Sequence, residues 1–579
     1  MFVHFIHALG RRARPGILWA HCREALPALG LLGASLVCSQ GLHAQTRPDA
    51  GQILEGIRPP LAAPTPNPSA ALPEQEDRPA VDASNSPQFV LVRHWRITGA
   101  HVFPTASLED LVSEYRGQKL TLAELAAAAR RITIYYRKHG YLLSRAYVPA
   151  QKIRNDTVEI AVIEGHLGSI EVTNDSLVAG SLVTQDLSHL RSTGPVEGGH
   201  LERSLLLLND LPGVEVRSTL KPGASVGSSD LDVLLNRTAR LSGSVDVDSF
   251  GNRYTGQFRG GGTLNFNEPF HYGDVLSLRG DSAGPGMNYG RLAYQIPMGG
   301  DGFKSGIAVS DLQYKLGKQF ESLGAHGNAQ VGTIWTAYQF VRNPWENLAI
   351  QLSYDHKRLN DRVNAADSDT QKSLDVVTLG LSGDWTDGLG GVGVNLYSVD
   401  FVEGRLRLDP LATAVDLGPF GHHTQGKYSK LSWSYSRTQS LTQGISLYTS
   451  LTGQATNKNL DTSETLALGG IYGVRAYPQD EGAGDDAAIL NIELRWTVPA
   501  LPDMQLLTFV DGGTVRINHT PLPADTDNRR TLKGEGLGLQ WIGTKTFALR
   551  AYLAWRAGPA PLTDSDRRPR GWLQFVKYF

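Results

Sequence analysis

The chain has almost no cysteine. Of its 579 residues only Cys22 and Cys38 carry a thiol. Both lie in a segment with the features of a secretory signal: a basic start at Arg11, Arg12 and Arg14, an apolar stretch from Ala25 to Val37, and Leu42-His43-Ala44, which ends in a small residue suited to cleavage. Cleavage there would start the mature chain at Gln45 without a thiol, which excludes disulfides, a thiolate nucleophile and Cys-ligated metal. Long apolar runs are missing too. No stretch reaches the roughly 18 apolar residues of a membrane helix, although strands that cross a membrane need only about 10 residues of alternation. Neither sign of charge dominates: 55 basic residues face 57 acidic ones, for a net charge of -2, and no nucleic-acid partner is expected. None of the histidines has a spacing that suggests catalysis or metal binding, and the loop pair His422-His423 has no carboxylate near it in sequence. We therefore expect no enzyme activity and no cofactor.

What is present is organised in blocks. Residues 1–44 are read as the signal peptide and 45–58 as a short helical segment, from Pro48 through Gln52 to Ile57. Residues 59–88 carry Pro59, Pro60, Pro64, Pro66, Pro68, Pro73, Pro79 and Pro87; so much proline among polar residues leaves too little apolar surface to fold, and predicts an extended linker. Residues 89–166 predict a compact unit of order β-α-α-β-β. Leu108, Leu111, Val112 and Tyr115 recur at helical spacing, and Thr121 with Glu124 forms a capping-box pattern before a helix that stops at His139-Gly140. Residues 167–238 repeat the plan, with a strand over 169–172, a helix over 199–209 and strands over 214–220 and 231–235. Two such units in tandem are an internal repeat.

From 239 to 579 the helical period disappears. Alternating strand-like runs separated by Gly, Asn and Asp turns continue to the end, and the length divides into about 16 membrane strands. Phe547, Leu549, Ala551, Leu553 and Trp555 fall on one face, Arg550, Tyr552 and Arg556 on the other. A soluble β-sandwich is the competing reading, and it leaves the even spacing and the terminal Phe579 unexplained. Two motifs dissolve in context. Gly388-Leu389-Gly390-Gly391-Val392-Gly393 has the letters of a dinucleotide fingerprint but is followed by a strand, which makes it a hairpin turn. Gly223-Ala224-Ser225-Val226-Gly227 resembles a nucleophile elbow but also leads into a strand.

Two charges stand out against this pattern: Arg475, in the loop Val474-Arg475-Ala476-Tyr477, and Asp511, in the run Phe509-Val510-Asp511-Gly512-Gly513. Between them Leu490 to Trp496 alternates apolar and polar residues. A loop arginine that reaches an inward aspartate suggests a barrel with part of its own chain folded inside; two separate solvated charges are the alternative, and would contribute little.

With these features in view, the chain resembles the outer-membrane transporters of two-partner secretion, within the polypeptide-transporting barrel superfamily. The resemblance rests on Gly140 to Pro149 and Ile163-Glu164-Gly165 in the first repeat and Leu205 to Val214 in the second. In the barrel it rests on Asp248, Gly251, Tyr254-Thr255-Gly256 and Asn267-Glu268-Pro269, then Gly469-Gly470 to Tyr477, Gly484-Asp485, Glu493-Leu494-Arg495 and Phe509 to Gly513. It implies two periplasmic POTRA domains (89–166 and 167–238), a 16-stranded barrel (239–579) with a long loop near 466–488 folded into the lumen, and an N-terminal plug helix. Carried over by position, the loop tip is Val474, Arg475, Ala476 and Tyr477, and its wall partner is Phe509, Asp511 and Gly513. The implied partners are a large secreted β-solenoid exoprotein of haemolysin or adhesin type, outer-membrane lipid and the barrel-assembly machinery. A barrel-assembly insertase is the alternative, but such proteins tend to have more repeats and no proline-tethered helix; a diffusive porin or nutrient receptor leaves the repeats unexplained. The chain departs from the family in two places. Ala476 stands where glycine is usual, which would cost about 1 kcal/mol or more if the position required positive φ. The C-terminal insertion signal keeps Phe575 and Phe579 but has Lys577 where an aromatic is favoured.

Overall fold

The computed structural model describes residues 47–57, 89–190, 194–523, 525, 527–543 and 546–579; the signal segment 1–44 and the proline-rich linker 59–88 lie outside the described residues. The first α/β repeat is built on strand Thr157–Ile163, which pairs in parallel with His94–Thr98 and antiparallel with Arg145–Tyr147. Helix Leu122–Lys138 covers it, burying Leu125, Ala128, Ala129, Ile132 and Tyr136. That helix begins where the sequence places it, because the Thr121 hydroxyl accepts from the Glu124 N–H at 3.3 Å and the Glu124 carboxylate accepts from the Thr121 N–H at 2.7 Å. A short ladder between Val90–Val92 and Gln118–Leu120 adds a strand that three residues of sequence were too few to announce.

The second repeat has the same plan. Strand Ser228–Arg237 pairs in parallel with His166–Asn174 and antiparallel with Val214–Pro222. Beside helix Gly198–Asn209 lies a second helix, Gly180–Ser188, absent from the sequence reading. Its apolar signal is the short group Leu182, Val183 and Leu187, and no side chain caps its start.

Sixteen antiparallel strands close into a barrel. In order they are Leu241–Asp248, Arg259–Asn267, Val275–Ser282, Met287–Pro297, Phe303–Lys315, Ala325–Arg342, Glu346–Val363 and Ser368–Asp387. Gly393–Leu408, Gly426–Thr442, Ile445–Thr456, Asp486–Val498, Leu501–Arg516, Arg529–Gly543, Phe547–Arg556 and Arg570–Tyr578 complete the wall. Alternation divides the side chains. Leu490, Ile492, Leu494 and Trp496 are exposed on the outer surface, whereas Ile489 and Glu493 are buried inside. The glycine-rich run 388–392 turns the chain between Ser368–Asp387 and Gly393–Leu408, and 223–227 turns it between Val214–Pro222 and Ser228–Arg237, as their contexts required.

The second repeat rests on the turns at one end of the barrel. Arg342 grips Asp210 with two contacts of 2.7 Å, and Arg203 reaches Asp301 at 2.5 Å. Gly300 lies so close to Asp186 that a Cβ there would meet the Asp186 backbone nitrogen at 2.5 Å. The longer loops leave the opposite end. The largest of them, 457–485, turns back into the lumen.

Candidate functional site

Inside the barrel the turn of loop 457–485 is compact. The Val474 N–H donates to the Leu468 carbonyl at 2.7 Å, which presents Arg475 to the wall. The Arg475 guanidinium donates to Asp511 through Nε (2.9 Å) and Nη2 (2.7 Å), and its own backbone N–H adds a contact to the same carboxylate at 3.0 Å. Its remaining nitrogen, Nη1, reaches Glu493 at 2.6 Å. The guanidinium also lies 3.6 Å from the centre of the Phe509 ring. Burial is nearly complete: Arg475, Asp511 and Glu493 are 3%, 1% and 4% exposed. Charges so enclosed persist only with their partners in place.

Register explains why these partners converge. Asn491 stands opposite Asp511 and Glu493 opposite Phe509 on two adjacent strands, so all four side chains share the inner face. Asn491 donates to Asp511 at 2.7 Å and to the Gly473 carbonyl at 2.8 Å, and Arg495 holds the far oxygen of Glu493 at 2.8 Å. From a more distant strand the Trp572 indole donates to the Arg475 carbonyl at 2.7 Å. Tyr477, fully buried, donates its hydroxyl to the Pro559 carbonyl at 2.9 Å. Gly513 leaves the room that Val474 and Leu468 use: a Cβ there would lie 3.0 Å from Leu468 and 3.4 Å from Val474.

Ala476 is not strained. It is absent from the residues with positive φ, so the glycine usual at this position is not needed for backbone reasons. Room for its methyl comes from the wall, where a Cβ on Gly534 would lie 2.5 Å from the Ala476 Cβ.

A second segment shares the lumen. Helix Ala50–Glu55 is capped by Asp49, whose carboxylate accepts from the Gln52 N–H at 2.9 Å. Ala50 and Ile53 pack on inward Tyr254, Leu312, Tyr314 and Leu359. The Ala50 N–H donates to Asp361 at 2.8 Å. Gly51 lies against the loop, where a Cβ would meet the Ser463 backbone nitrogen at 2.7 Å. Lys372, on the wall, touches both inserted elements: its ammonium is 3.0 Å from Asp49 of the helix segment and 2.9 Å from Asp461 of the loop. Lys357 and Lys430 each hold Glu464 of the loop at 2.8 Å.

The C-terminal residues lie apart from this cluster, at the seam between last and first strands. Five register pairs run from Gln574–Asp248 to Tyr578–Ser244. Phe579 extends the ladder through reciprocal backbone bonds with Gly243 at 2.9 and 3.1 Å. Phe575 points outward and stacks on Phe547 with ring centres 6.3 Å apart.

Comparison with known proteins decides the family. The profile of the haemolysin secretion/activation proteins ShlB/FhaC/HecB matches residues 227–541, more than half of the chain. The chain belongs to this family. A POTRA domain of ShlB type matches residues 90–165, the first α/β repeat. Over 563 residues the chain is 25% identical to the heme/hemopexin transporter protein HuxB of Haemophilus influenzae (strain 86-028NP), covering 94% of this chain and 97% of that protein. It is 23% identical to the outer membrane transporter CdiB of Escherichia coli O6:K15:H31, over 76% of this chain and 75% of that one. Among solved structures, CdiB from Escherichia coli superposes with a TM-score of 0.67 at 21% identity, covering 87% of this chain and 93% of that chain. BamA from Haemophilus ducreyi lacking POTRA domains 1–3 gives 0.50 at 13%, over 84% and 100%. The structural likenesses establish the fold, a 16-stranded barrel preceded by POTRA-type repeats, and the family places it in the outer membrane.

For this family member the sequence reading omitted three participants. Glu493 stands in the sequence within the run Glu493-Leu494-Arg495, and its i, i+2 spacing from Asn491 and Arg495 puts it on the inner face. Asp49 and Lys372 meet across 323 residues, with no local pattern to connect them.

Proposed function

We propose that this protein recognises one unfolded partner exoprotein in the periplasm through its POTRA domains and exports it through the barrel to the cell surface, as a two-partner secretion translocator. Its family is one of secretion and activation proteins. The observation that carries the reading is the occupied lumen: a helix and a loop of the chain's own, both held to the wall by ion pairs, fill the route a client would take. A passive diffusion pore has no use for such removable contents, and they are suited to a channel that opens on demand. Strand Val214–Pro222 has a single partner in the second repeat, so its free edge offers backbone hydrogen bonds to an extended client whatever its side chains. Arg475 with Asp511 and Glu493 would hold the loop tip, and the N-terminal helix would plug the remaining space. Phe575 and Phe579 would serve as the insertion signal read during barrel assembly. Folding of the client outside would give the passage its direction.

The test is co-expression with each large secreted β-solenoid protein of the same organism in turn, in a host that encodes neither the transporter nor the solenoid. We expect the solenoid in the medium only when the full transporter is present, and in the periplasm when residues 89–238 are removed. A solenoid that reaches the medium equally without the transporter would refute the reading.

A further inference from the structure

The outer wall of the barrel carries a feature that export does not use. On the rim away from the POTRA repeats, a shallow groove of about 630 Å³ crosses five strands, lined outward by Leu278, Leu292, Val309, Gly332, His356 and Arg358. Cross-strand register aligns it: Val309 stands opposite Gly332, and Gly332 opposite His356. The groove exists because side chains are missing from its floor. A Cβ on Gly290 or Gly332 would meet nothing within 4 Å, so no neighbour in the protein requires glycine at either place. Glycine inside a strand weakens it, and without an internal reason for it, it marks the close approach of something else.

Beside the groove, just above the apolar belt of Ile334, Tyr354, Val377 and Phe401, lies an ordered polar network. Arg358 Nε donates to His356 Nε2 at 3.2 Å, and His356 Nδ1 lies 2.7 Å from Asp375. Asp375 also accepts from Tyr354 at 2.8 Å and from Arg407 at 2.5 Å. Two further cations, Arg405 and Lys427, stand directly opposite each other on neighbouring strands, an arrangement that like charges ordinarily disfavour. Among the described residues, Arg358, Arg405 and Lys427 form no ion pair with a carboxylate. The carboxylate in the groove itself, Asp311, is taken up by Gln313 and Gln330, both at 3.1 Å.

We propose that this face is a specific binding site for a phosphorylated glycolipid of the outer leaflet. One acyl chain lies in the groove over Gly290 and Gly332, and a headgroup phosphate sits among Arg358, Arg405 and Lys427. Charge complementarity selects the occupant. Three cations with no ion pair of their own, the nearest carboxylate Asp375 opposite Arg405 being already engaged by Tyr354, His356 and Arg407, match at the boundary of an apolar belt a phosphate attached to acyl chains. Arg358 is held ready by His356, whose proton is directed to Asp375.

The test is native mass spectrometry of the full chain in detergent, titrated in parallel with diphosphorylated hexa-acyl lipid A, its fully dephosphorylated form and phosphatidylcholine. We expect one retained lipid A adduct, at least tenfold weaker retention of the other two lipids, and at least tenfold loss of the adduct in R358Q/R405Q. Arg130→Gln, a charge removed from the first periplasmic repeat, should leave the adduct unchanged. Gly332→Leu has open space for its side chain, so it should fill the groove and weaken the adduct by a similar factor while the barrel stays heat-modifiable. Equal retention of the dephosphorylated lipid, or an unchanged adduct in both R358Q/R405Q and Gly332→Leu, would overturn the assignment.

Discussion

Replacing Arg475 with alanine removes three side-chain contacts, two to Asp511 and one to Glu493, together with the face-on contact to Phe509. Breaking a buried ion pair by deleting one partner costs about 3–5 kcal/mol, because a charge is left without compensation. Here the orphaned carboxylates keep some support. Asp511 retains Asn491 and the backbone N–H of residue 475, and Glu493 retains Arg495. Water that enters the lumen would solvate the remainder. The docked loop should therefore lose about 2–3 kcal/mol, which is roughly a 30- to 150-fold shift toward undocked conformations. Arg475→Lys keeps the charge but not the fork, and should fall between the wild type and alanine. Asp511→Asn combined with Arg475→Ala should cost less than the two single changes added together, since both act on one cluster. The assay compares secreted partner per unit of heat-modifiable barrel in the outer membrane with protease accessibility of the loop 457–485. We expect reduced secretion and an accessible loop at normal barrel levels. Wild-type secretion together with a protected loop in Arg475→Ala would refute the role given to this cluster.

Three further outcomes are expected. Deleting residues 45–57 should raise single-channel conductance in planar bilayers, and a pore equally closed without the helix would refute its role as a plug. Gly534→Ala should undock the loop tip, because the new methyl would lie about 2.5 Å from that of Ala476, and Ala476→Gly in the same chain should restore docking; protease accessibility of the loop reads both steps. Asp186, at the contact between the second repeat and the barrel turns, has its carboxyl pushed up to about 7 by burial and then by neighbouring Asp301, with Arg203 opposing. The docked state then binds more protons than the undocked state between the ordinary carboxylate value and about 7, so docking weakens as pH rises through that window and levels off above it. Asp186→Asn should flatten the profile, measured as energy transfer between labels on the second repeat and the barrel at pH 5 and pH 8; an unchanged slope would remove Asp186 as its source.

The barrel was legible because alternation is a long-range statement made by short-range means. Each run such as Leu490 to Trp496 fixes its own inside and outside, and closure follows from having enough of them. The long helix of the first repeat was legible through Thr121 and Glu124, whose mutual capping is written three residues apart. Helix Gly180–Ser188 was not, since Thr184, Gln185 and Asp186 interrupt its apolar face and its start has no capping side chain. The Arg475–Asp511 contact could be suspected from an oddly placed charge and from family resemblance, but its third partner emerged only with the register that brings Glu493 beside Phe509. The concern over Ala476 failed at its own backbone, which does not take positive φ, while the room for its methyl is left by Gly534 on another strand.

One cation, Lys372, is shared between two elements that, on the proposed function, must each be able to leave. Because Asp49 and Asp461 both lean on it, the affinity of the lumen for the helix depends on whether the loop is in place, and the reverse dependence must have the same size. A client that dislodges either element has thereby altered the hold on the other by the same free energy. The two obstructions cannot be treated as independent gates in series, since the first departure sets the odds of the second.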